Sequence, residues 1–413
     1  MLTRQLESLL EELVRTTPVV ILEGGRAVGK STVCDELIGR LGWQPRLDLS
    51  DESVMATLRL DPDRFLAAQR TPCVLDEAQL EPRLTIWVKR RVDQRRAPGQ
   101  FLLTGSARLG RDQLGGSDPL AGRAVRVRMW SMTEAEIAGR RSDFVQRAFG
   151  SGWSITSQPA TPEQARPQSR LGGLAGLSGV LRPATVSQWE REIAAYVEAV
   201  MPIAAGGTRA DTGRLLRTFR YFASGSGQLV NFASAASDLG MQATTVRNHL
   251  ELLENAFLLV RVEAERPTEA RVVTAHPRVF ATDTGLATWA ARAWSRSLPA
   301  ALAGTLTETG VAHDLLANVD ANAERITVRH WRDDRNKREV DLLLVHPDGR
   351  YVPIEVKAST SAGPGDTAGL TAFTTSTGNL SVRGLLIYEG DQIVDLTPAN
   401  QHCQILAVPR RLL

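Results

Sequence analysis

Cysteine is scarce in this chain: Cys34, Cys73 and Cys403 are the only three in 413 residues. Their number is odd, their spacing wide, and no pair has the separation of metal-binding thiolates. A disulfide-stapled fold and a thiolate zinc site are excluded, and the three read as small, reduced core residues of an intracellular protein. Surplus charge is lacking as well, since 49 basic against 46 acidic residues leave a net charge of +3. That excludes a polycationic coat, so any nucleic-acid contact has to come from a local patch. No apolar run approaches the roughly 20 residues that a membrane-spanning helix needs. The opening MLTRQLESLLEELVRTT is amphipathic and charged, without the apolar centre and small-residue cleavage site of a secretory leader. The expectation is a cytoplasmic location with no membrane partner. Internal repeats are also missing.

What is present is ordinary for a globular chain, with 43% apolar and 23% charged residues. The length predicts two to three domains. Leucines recur at helical spacing over residues 3–15 until Thr17–Pro18 breaks the pattern, and VVIL (19–22) reads as a short buried strand. Residues 30–41 are helical, and RLDLSD (46–51), PCVLDEAQ (72–79) and QFLLTGSAR (100–108) read as further strands. Strands alternating with helices predict a parallel sheet over residues 1–150. Residues 151–182 are rich in Ser, Gly, Pro and Gln and read as a flexible linker or insertion. Helical patterns fill 183–295, and over 232–265 two helices and a short turn lead into the strand-like LLVRVEAE, the pattern of a helix-turn-helix with a wing. From 296 to 413 an α/β pattern returns, with a helix at 304–319 and strands in ITVRHWRD, EVDLLLVHP, YVPIEVKAS and VRGLLIYEG.

The first candidate site lies between the strand at 19–22 and the helix at 30–41. Gly24-Gly25-Arg26-Ala27-Val28-Gly29-Lys30-Ser31, followed by Thr32, satisfies GxxxxGK[ST] in the strand-to-helix context the motif needs. Glycines let successive amides face an anion, and the helix N-terminus adds its positive end. These nine residues are the expected ATP-binding loop, with Lys30 on the β- and γ-phosphates and Ser31 on Mg2+. CVLDEAQ places Asp76 and Glu77 at the end of an apolar strand. Asp76 is expected to hold Mg2+ through water, and Glu77 to orient and deprotonate the attacking water. Ser106, in LLTGSAR, reads either as a γ-phosphate sensor or as a plain strand-to-loop serine. Arg123, in DPLAGR, reads either as a stabiliser of transition-state charge, in cis or from a neighbouring subunit, or as an exposed salt-bridge arginine.

A second candidate site lies near the C-terminus. Asp341 stands in EVDLLLV, and Glu355 and Lys357 stand in PIEVKAS, 14 residues later across an Asp-Gly turn. Period-2 alternation sets Glu355 and Lys357 on one strand face, and pairing of the strands brings Asp341 beside Glu355. Oxygen ligands of this kind suit Mg2+ or Mn2+. Such an ion would activate water against a phosphodiester, with Lys357 positioning the water or stabilising charge. Glu308, in the preceding helix, is within reach as an outer ligand. The alternatives are an ordinary hairpin with salt-bridged charges, or a fold that grips nucleic acid without cutting it.

These stretches together resemble the prokaryotic AAA+-type ATPases that join a P-loop domain, a middle domain with a winged helix, and a C-terminal PD-(D/E)xK restriction-endonuclease-like domain. GGRAVGKST, VLDEAQ, LLTGSA, LAGR, RVFATDTGL, REVDLLL and IEVKAS follow in the family's order across nearly the whole chain. Arg26 matches the third place of the family's GPRQVGKT form, and Asp283 falls on the most characteristic residue of its RVFATDTGL segment. The resemblance implies ATP binding and hydrolysis, and a metal-dependent nuclease fold. The sequence departs from the pattern in the 156–180 insertion and in MPIAAGG (201–207), which replaces an arginine-aspartate stretch.

Within the predicted winged helix, TTVRNHLELLENAFLL is the expected recognition helix, with Arg247, Asn248 and His249 near an exposed start. Arg261, Arg266, Arg271 and Arg278 are candidates for phosphate contact with DNA or RNA. The alternative is a packing module that transmits nucleotide state. The leading function is therefore an ATPase whose cycle controls a nucleic-acid-binding or nuclease domain. Its competitor is a nucleotide-switched binding or regulatory protein without cleavage. A small-molecule P-loop kinase is a third reading, against which Glu77 argues. Sites of this type are often completed between subunits, which leaves a homo-oligomer open.

Overall fold

The computed structural model describes residues 3–109, 118–150, 152–155, 171–174, 176–177, 185–206, 210–265, 276–292 and 300–413. The proposed linker at 151–182 lies mostly outside them, as do Arg266 and Arg271.

Helix α1 (Glu7–Thr16) turns Leu10 and Val14 inward and stops where Pro18 denies its neighbour a helical backbone. Strand β1 (Val19–Glu23) is buried throughout and leads through the glycine loop into α2 (Lys30–Leu41), which closes on left-handed Gly42. After β2 (Leu47–Asp48) come α3 (Glu52–Leu60), capped by Asp51, and α4 (Pro62–Ala68), capped by Asp61 with proline at its first position. Then follow β3 (Cys73–Asp76), α5 (Leu84–Gln94), β4 (Phe101–Gly105) and β5 (Ala124–Arg128). All five strands are parallel, in the order β2-β3-β4-β1-β5. The fifth strand goes beyond the four expected from sequence, because alternating Val and Arg in AVRVR gives only a weak apolar signal. Period-2 alternation splits the sheet residues between two cores. Val19, Ile21, Leu75 and Leu103 pack with α3 to α5, whereas Val20, Leu22, Val74 and Leu102 pack with α1, α2 and the helices that follow.

Those helices come after α6 (Glu134–Ile137) and α7 (Phe144–Phe149). They are α8 (Val186–Ala205), α9 (Thr212–Ser224), α10 (Phe232–Leu239) and α11 (Ala243–Asn255). A short turn at Gly240 joins the last two, and an antiparallel pair follows, β6 (Leu259–Val262) with β7 (Arg278–Ala281). Asp283 then caps α12 (Thr284–Ala290).

The C-terminal part begins with α13 (Ala300–Asp320) and the antiparallel strands β8 (Thr327–Asp333), β9 (Arg338–Val345) and β10 (Tyr351–Lys357). Helix α14 (Ala368–Thr377), β11 (Gly384–Tyr388), β12 (Val394–Asp395) and β13 (Ile405–Pro409) complete a mixed six-stranded sheet. Strand β11 is parallel to both β10 and β13. Val311, Ala312 and Leu315 of α13 cover one face, and Leu370 and Phe373 of α14 cover the other. The three cysteines are buried and unpaired, as expected. No helix among the described residues is long and apolar enough to cross a membrane.

Candidate functional site

The glycine loop is fixed residue by residue. A β-carbon on Gly24 would stand 2.2 Å from the Met129 carbonyl oxygen, so no side chain fits there. Gly29 has a φ of 99°, which starts α2 from a left-handed turn that favours glycine. Lys30 is buried, and its Nζ donates to the carbonyls of Gly24 and Gly25 at 2.9 Å each and to Ser106 Oγ at 3.4 Å. The next three carbonyls accept from outside the loop. Arg26 O accepts from the Tyr196 hydroxyl at 3.2 Å, Ala27 O from the Gly176 amide at 2.7 Å, and Val28 O from the Arg4 guanidinium at 2.6 Å. A trans peptide points its N–H opposite its C=O, so these anchors turn the amides of Ala27, Val28 and Gly29 the other way. Those amides and the N-terminus of α2 form a surface suited to an anion. Burial pushes the Lys30 pKa down to about 8, against the pull of Glu77 and Asp76.

The acids stand one strand away, because β4 lies between β1 and β3. Asp76 is 1% exposed, accepts from the Thr104 hydroxyl, and meets Arg46 at 2.7 Å. Arg46 also reaches Asp35 at 3.0 Å and Asp48 at 3.3 Å. Glu77 leaves the strand with a φ of 56°, and its amide donates to Thr104 Oγ1 at 3.1 Å. Its carboxylate accepts from the Gln79 side-chain amide and from Ser106 Oγ at 3.2 Å, while the Ser106 amide donates to Gln79 Oε1 at 3.2 Å. Lys30, Ser106, Glu77 and Gln79 thus form one network at the ends of three parallel strands. Ser31, half-buried, and Thr32, exposed, lie in the first turn of α2. A serine hydroxyl and a buried carboxylate are hard oxygen donors that fit Mg2+, once Arg46 yields one oxygen of Asp76.

Arg123 is not brought to this network. It is bound in bidentate fashion to Asp93 at 2.6 and 3.0 Å, so within one chain the salt-bridge alternative is the arrangement found.

In the C-terminal sheet, Ile354 faces Leu342, and one step further sets Glu355 opposite Asp341. Asp341 Oδ2 accepts from the Val356 amide at 3.0 Å. Glu355 accepts from the amides of Gly369 and Leu370 at the start of α14. Lys357 is drawn aside to Asp366 at 2.5 Å. The centre of the cluster is taken by Arg278 of β7, 2.5 Å from Glu308, 3.2 Å from Glu339 and 3.4 Å from Asp341. Burial raises the Glu355 pKa to about 8, and Asp341 adds to the rise. Burial raises Glu308 and Asp341 too, with Arg278 opposing. Among the described residues, no three His, Cys, Asp or Glu side chains gather to hold a metal ion. With a guanidinium among them, Asp341, Glu355 and Glu308 do not fit the expected Mg2+ or Mn2+ in this arrangement.

On α11, Arg247 and Asn248 are exposed, but His249 is not. It is 5% exposed and bonded through Nδ1 to Thr218 Oγ1 at 2.9 Å, because it lies one turn from Leu253 on the packed face. Arg261 pairs with Glu254 at 2.6 Å.

Comparison with known proteins covers the chain in three pieces. Residues 16–138 match the model of a family described as "AAA domain". Residues 182–330 match "Domain of unknown function (DUF8612)", and 303–409 match "Domain of unknown function (DUF4143)". The uncharacterized proteins Mb2031c of Mycobacterium bovis and Rv2008c of Mycobacterium tuberculosis are each 26% identical over 284 residues, 68% of this chain. The match spans 58% of the length of these curated relatives. Among solved structures, the Walker-type ATPase PABY2304 of Pyrococcus abyssi covers 70% of this chain and 96% of its own at 16% identity, with a TM-score of 0.42. AMPPCP-bound DnaA from Aquifex aeolicus covers 60% and 85% at 14% identity, with a TM-score of 0.28. The AAA match, the all-parallel sheet and the glycine loop give the N-terminal part a P-loop NTPase fold, similar to AAA-type ATPase domains.

Several residues at these sites were not singled out for them in the sequence. Arg4, Tyr196 and Gly176 hold the loop from 20 or more positions away, and no local motif marks them. Arg46 carried a weak signal, as the one cation beside the aspartates of RLDLSD. Arg278 is one of the cations the sequence offers to phosphate, and its place in the carboxylate cluster depends on how two segments dock. Asp283 is 1% exposed and accepts from the amides of Gly285, Leu286 and Gly173, a capping role that joins α12 to the 171–174 stretch.

Proposed function

We propose that this chain is a magnesium-dependent ATPase whose nucleotide state governs a nucleic-acid-handling C-terminal part. The observation that carries the ATPase reading is the Lys30–Ser106–Glu77–Gln79 network beside a loop whose carbonyls are anchored. Lys30 exchanges the Gly24 and Gly25 carbonyls for phosphate oxygens. Ser31 and Asp76 would hold Mg2+, which supplies charge neutralisation at the phosphates. Glu77 takes the proton of a water whose oxygen bonds to the γ-phosphorus while the bond to the ADP oxygen breaks. Ser106 and Gln79 hold the Glu77 carboxylate until the nucleotide arrives. Measuring phosphate release with and without single-stranded and duplex DNA tests both halves of the proposal. No release by the wild type would refute the first half, and indifference to DNA the second.

The helix–turn–helix of α10 and α11 followed by the β6–β7 pair supports a winged-helix reading of 183–295, with Arg247 and Asn248 offered to nucleic acid. A helix, three antiparallel strands, a second helix and a parallel strand support a restriction-endonuclease-like reading of 296–413. A second reading, a nucleotide-switched binding protein that does not cut, is favoured by Arg278 standing among the carboxylates. Cleavage of supercoiled DNA with Mn2+, compared with an Asp341→Ala, Glu355→Ala variant, separates them. Equal outcomes favour the switch.

A further inference from the structure

Three peptide units of the nucleotide loop are oriented by groups outside it. The donors come from the N-terminal Arg4, from Gly176, and from Tyr196 in the middle of α8. Tyr196 is 8% exposed, and its helix neighbours Ile193, Val197 and Val200 lie in the same core as Val20 and Leu22 of β1. Its hydroxyl is therefore carried by a helix that shares one core with the inner face of the sheet yet lies beyond the AAA-matched residues 16–138. Its hydrogen bond to the loop is made to the Arg26 carbonyl, and the hydroxyl also lies beside Gly25. That carbonyl shares its peptide plane with the Ala27 amide. If the plane turns, the amide no longer faces an anion bound in the loop. Ala27 itself has a φ of 61°, a left-handed conformation that an alanine holds only under restraint.

We infer that Tyr196 is a positioning residue for nucleotide: its hydroxyl holds the Arg26–Ala27 peptide with the amide toward the phosphates and ties loop occupancy to α8. This rests on the ATP reading above. The arrangement makes α8 the element that reports whether the loop is filled, because the loop cannot turn without losing the phenol.

The test is Tyr196→Phe, which removes one oxygen and keeps the ring in its core. With a fluorescent ATP analogue and Mg2+, the variant is expected to bind about fivefold more weakly, the size of one net neutral hydrogen bond. KM should rise by the same factor, with kcat within about twofold, since the bond orients a ground-state contact. A structural role alone would lower the melting temperature without nucleotide and leave this KM–kcat split unseen. Hydrogen exchange supplies a second readout: nucleotide should slow amides of α8 in the wild type but not in the variant. Wild-type affinity in Tyr196→Phe, or equal protection of α8 in both proteins, overturns the inference alone. A wild type that binds no nucleotide overturns the ATP reading, and this inference with it.

Discussion

Arg278 donates to Glu308 across 2.5 Å, joining the last strand of the middle segment to the long helix that opens the C-terminal sheet. The guanidinium sets positive charge beside both Glu308 and Asp341. Arg278→Gln leaves buried carboxylates uncompensated, and a loss of about 3 kcal/mol in urea unfolding is expected at pH 8. The loss should shrink at pH 5, where Glu308, whose pKa burial raises to about 8, is protonated. The same variant should bind Mn2+ more tightly than the wild type by calorimetry. Unchanged Mn2+ binding would show that Arg278 does not fill a cation's place.

Glu355 gives a pH dependence with a definite sign. Its pKa is raised from an ordinary 4.5 to about 8, so the folded state favours the neutral acid. Ionising it costs stability that is intact near pH 4, declines as pH rises, and is fully lost above 8. Glu355→Gln keeps an acceptor for the Gly369 and Leu370 amides but cannot ionise. One pKa unit is about 1.4 kcal/mol, and partial exposure screens it, so the variant should be about 2 kcal/mol more stable at pH 9. At pH 5 the two should unfold at similar urea concentrations.

Lys30 carries the opposite perturbation. Burial lowers its pKa from 10.5 to about 8, so folding favours the neutral amine between those values. A triphosphate restores the proton. Nucleotide binding at pH 8.5 should therefore take up protons, seen as a binding heat that changes with the ionisation enthalpy of the buffer. Affinity should fall as pH rises above 8. Lys30→Ala should abolish the proton uptake together with most of the affinity.

Arg123 lies on the surface, paired with Asp93. Arg123→Ala should leave the melting temperature essentially unchanged. If the arginine serves a neighbouring chain, wild-type turnover per chain will rise with protein concentration, and the variant will lose that rise. Turnover independent of concentration would restrict Arg123 to its ion pair.

How much of this was legible in the sequence differs by site. The nucleotide loop was legible, because GxxxxGK[ST] states in eight adjacent residues what the backbone must do, and α2 begins at Lys30 as read. Strands VVIL, CVLD and FLLTG were legible through unbroken apolar runs, whereas β5 was hidden by its arginines. The approach of Asp341 to Glu355 followed from hairpin pairing. What filled the cluster did not, because Arg278 arrives from a strand 63 positions before Asp341. His249 was misplaced for a similar reason: helical spacing sets a polar residue on a face, but only the partner Thr218 of α9 decides that the face is buried.

The measurement closest to the centre of the account is steady-state phosphate release from Mg–ATP by the wild type and by Glu77→Gln, with nucleotide retention followed in parallel. Turnover by the wild type, a loss of about 100-fold or more in the variant, and nucleotide held by both are expected. Equal rates in the two proteins would contradict it.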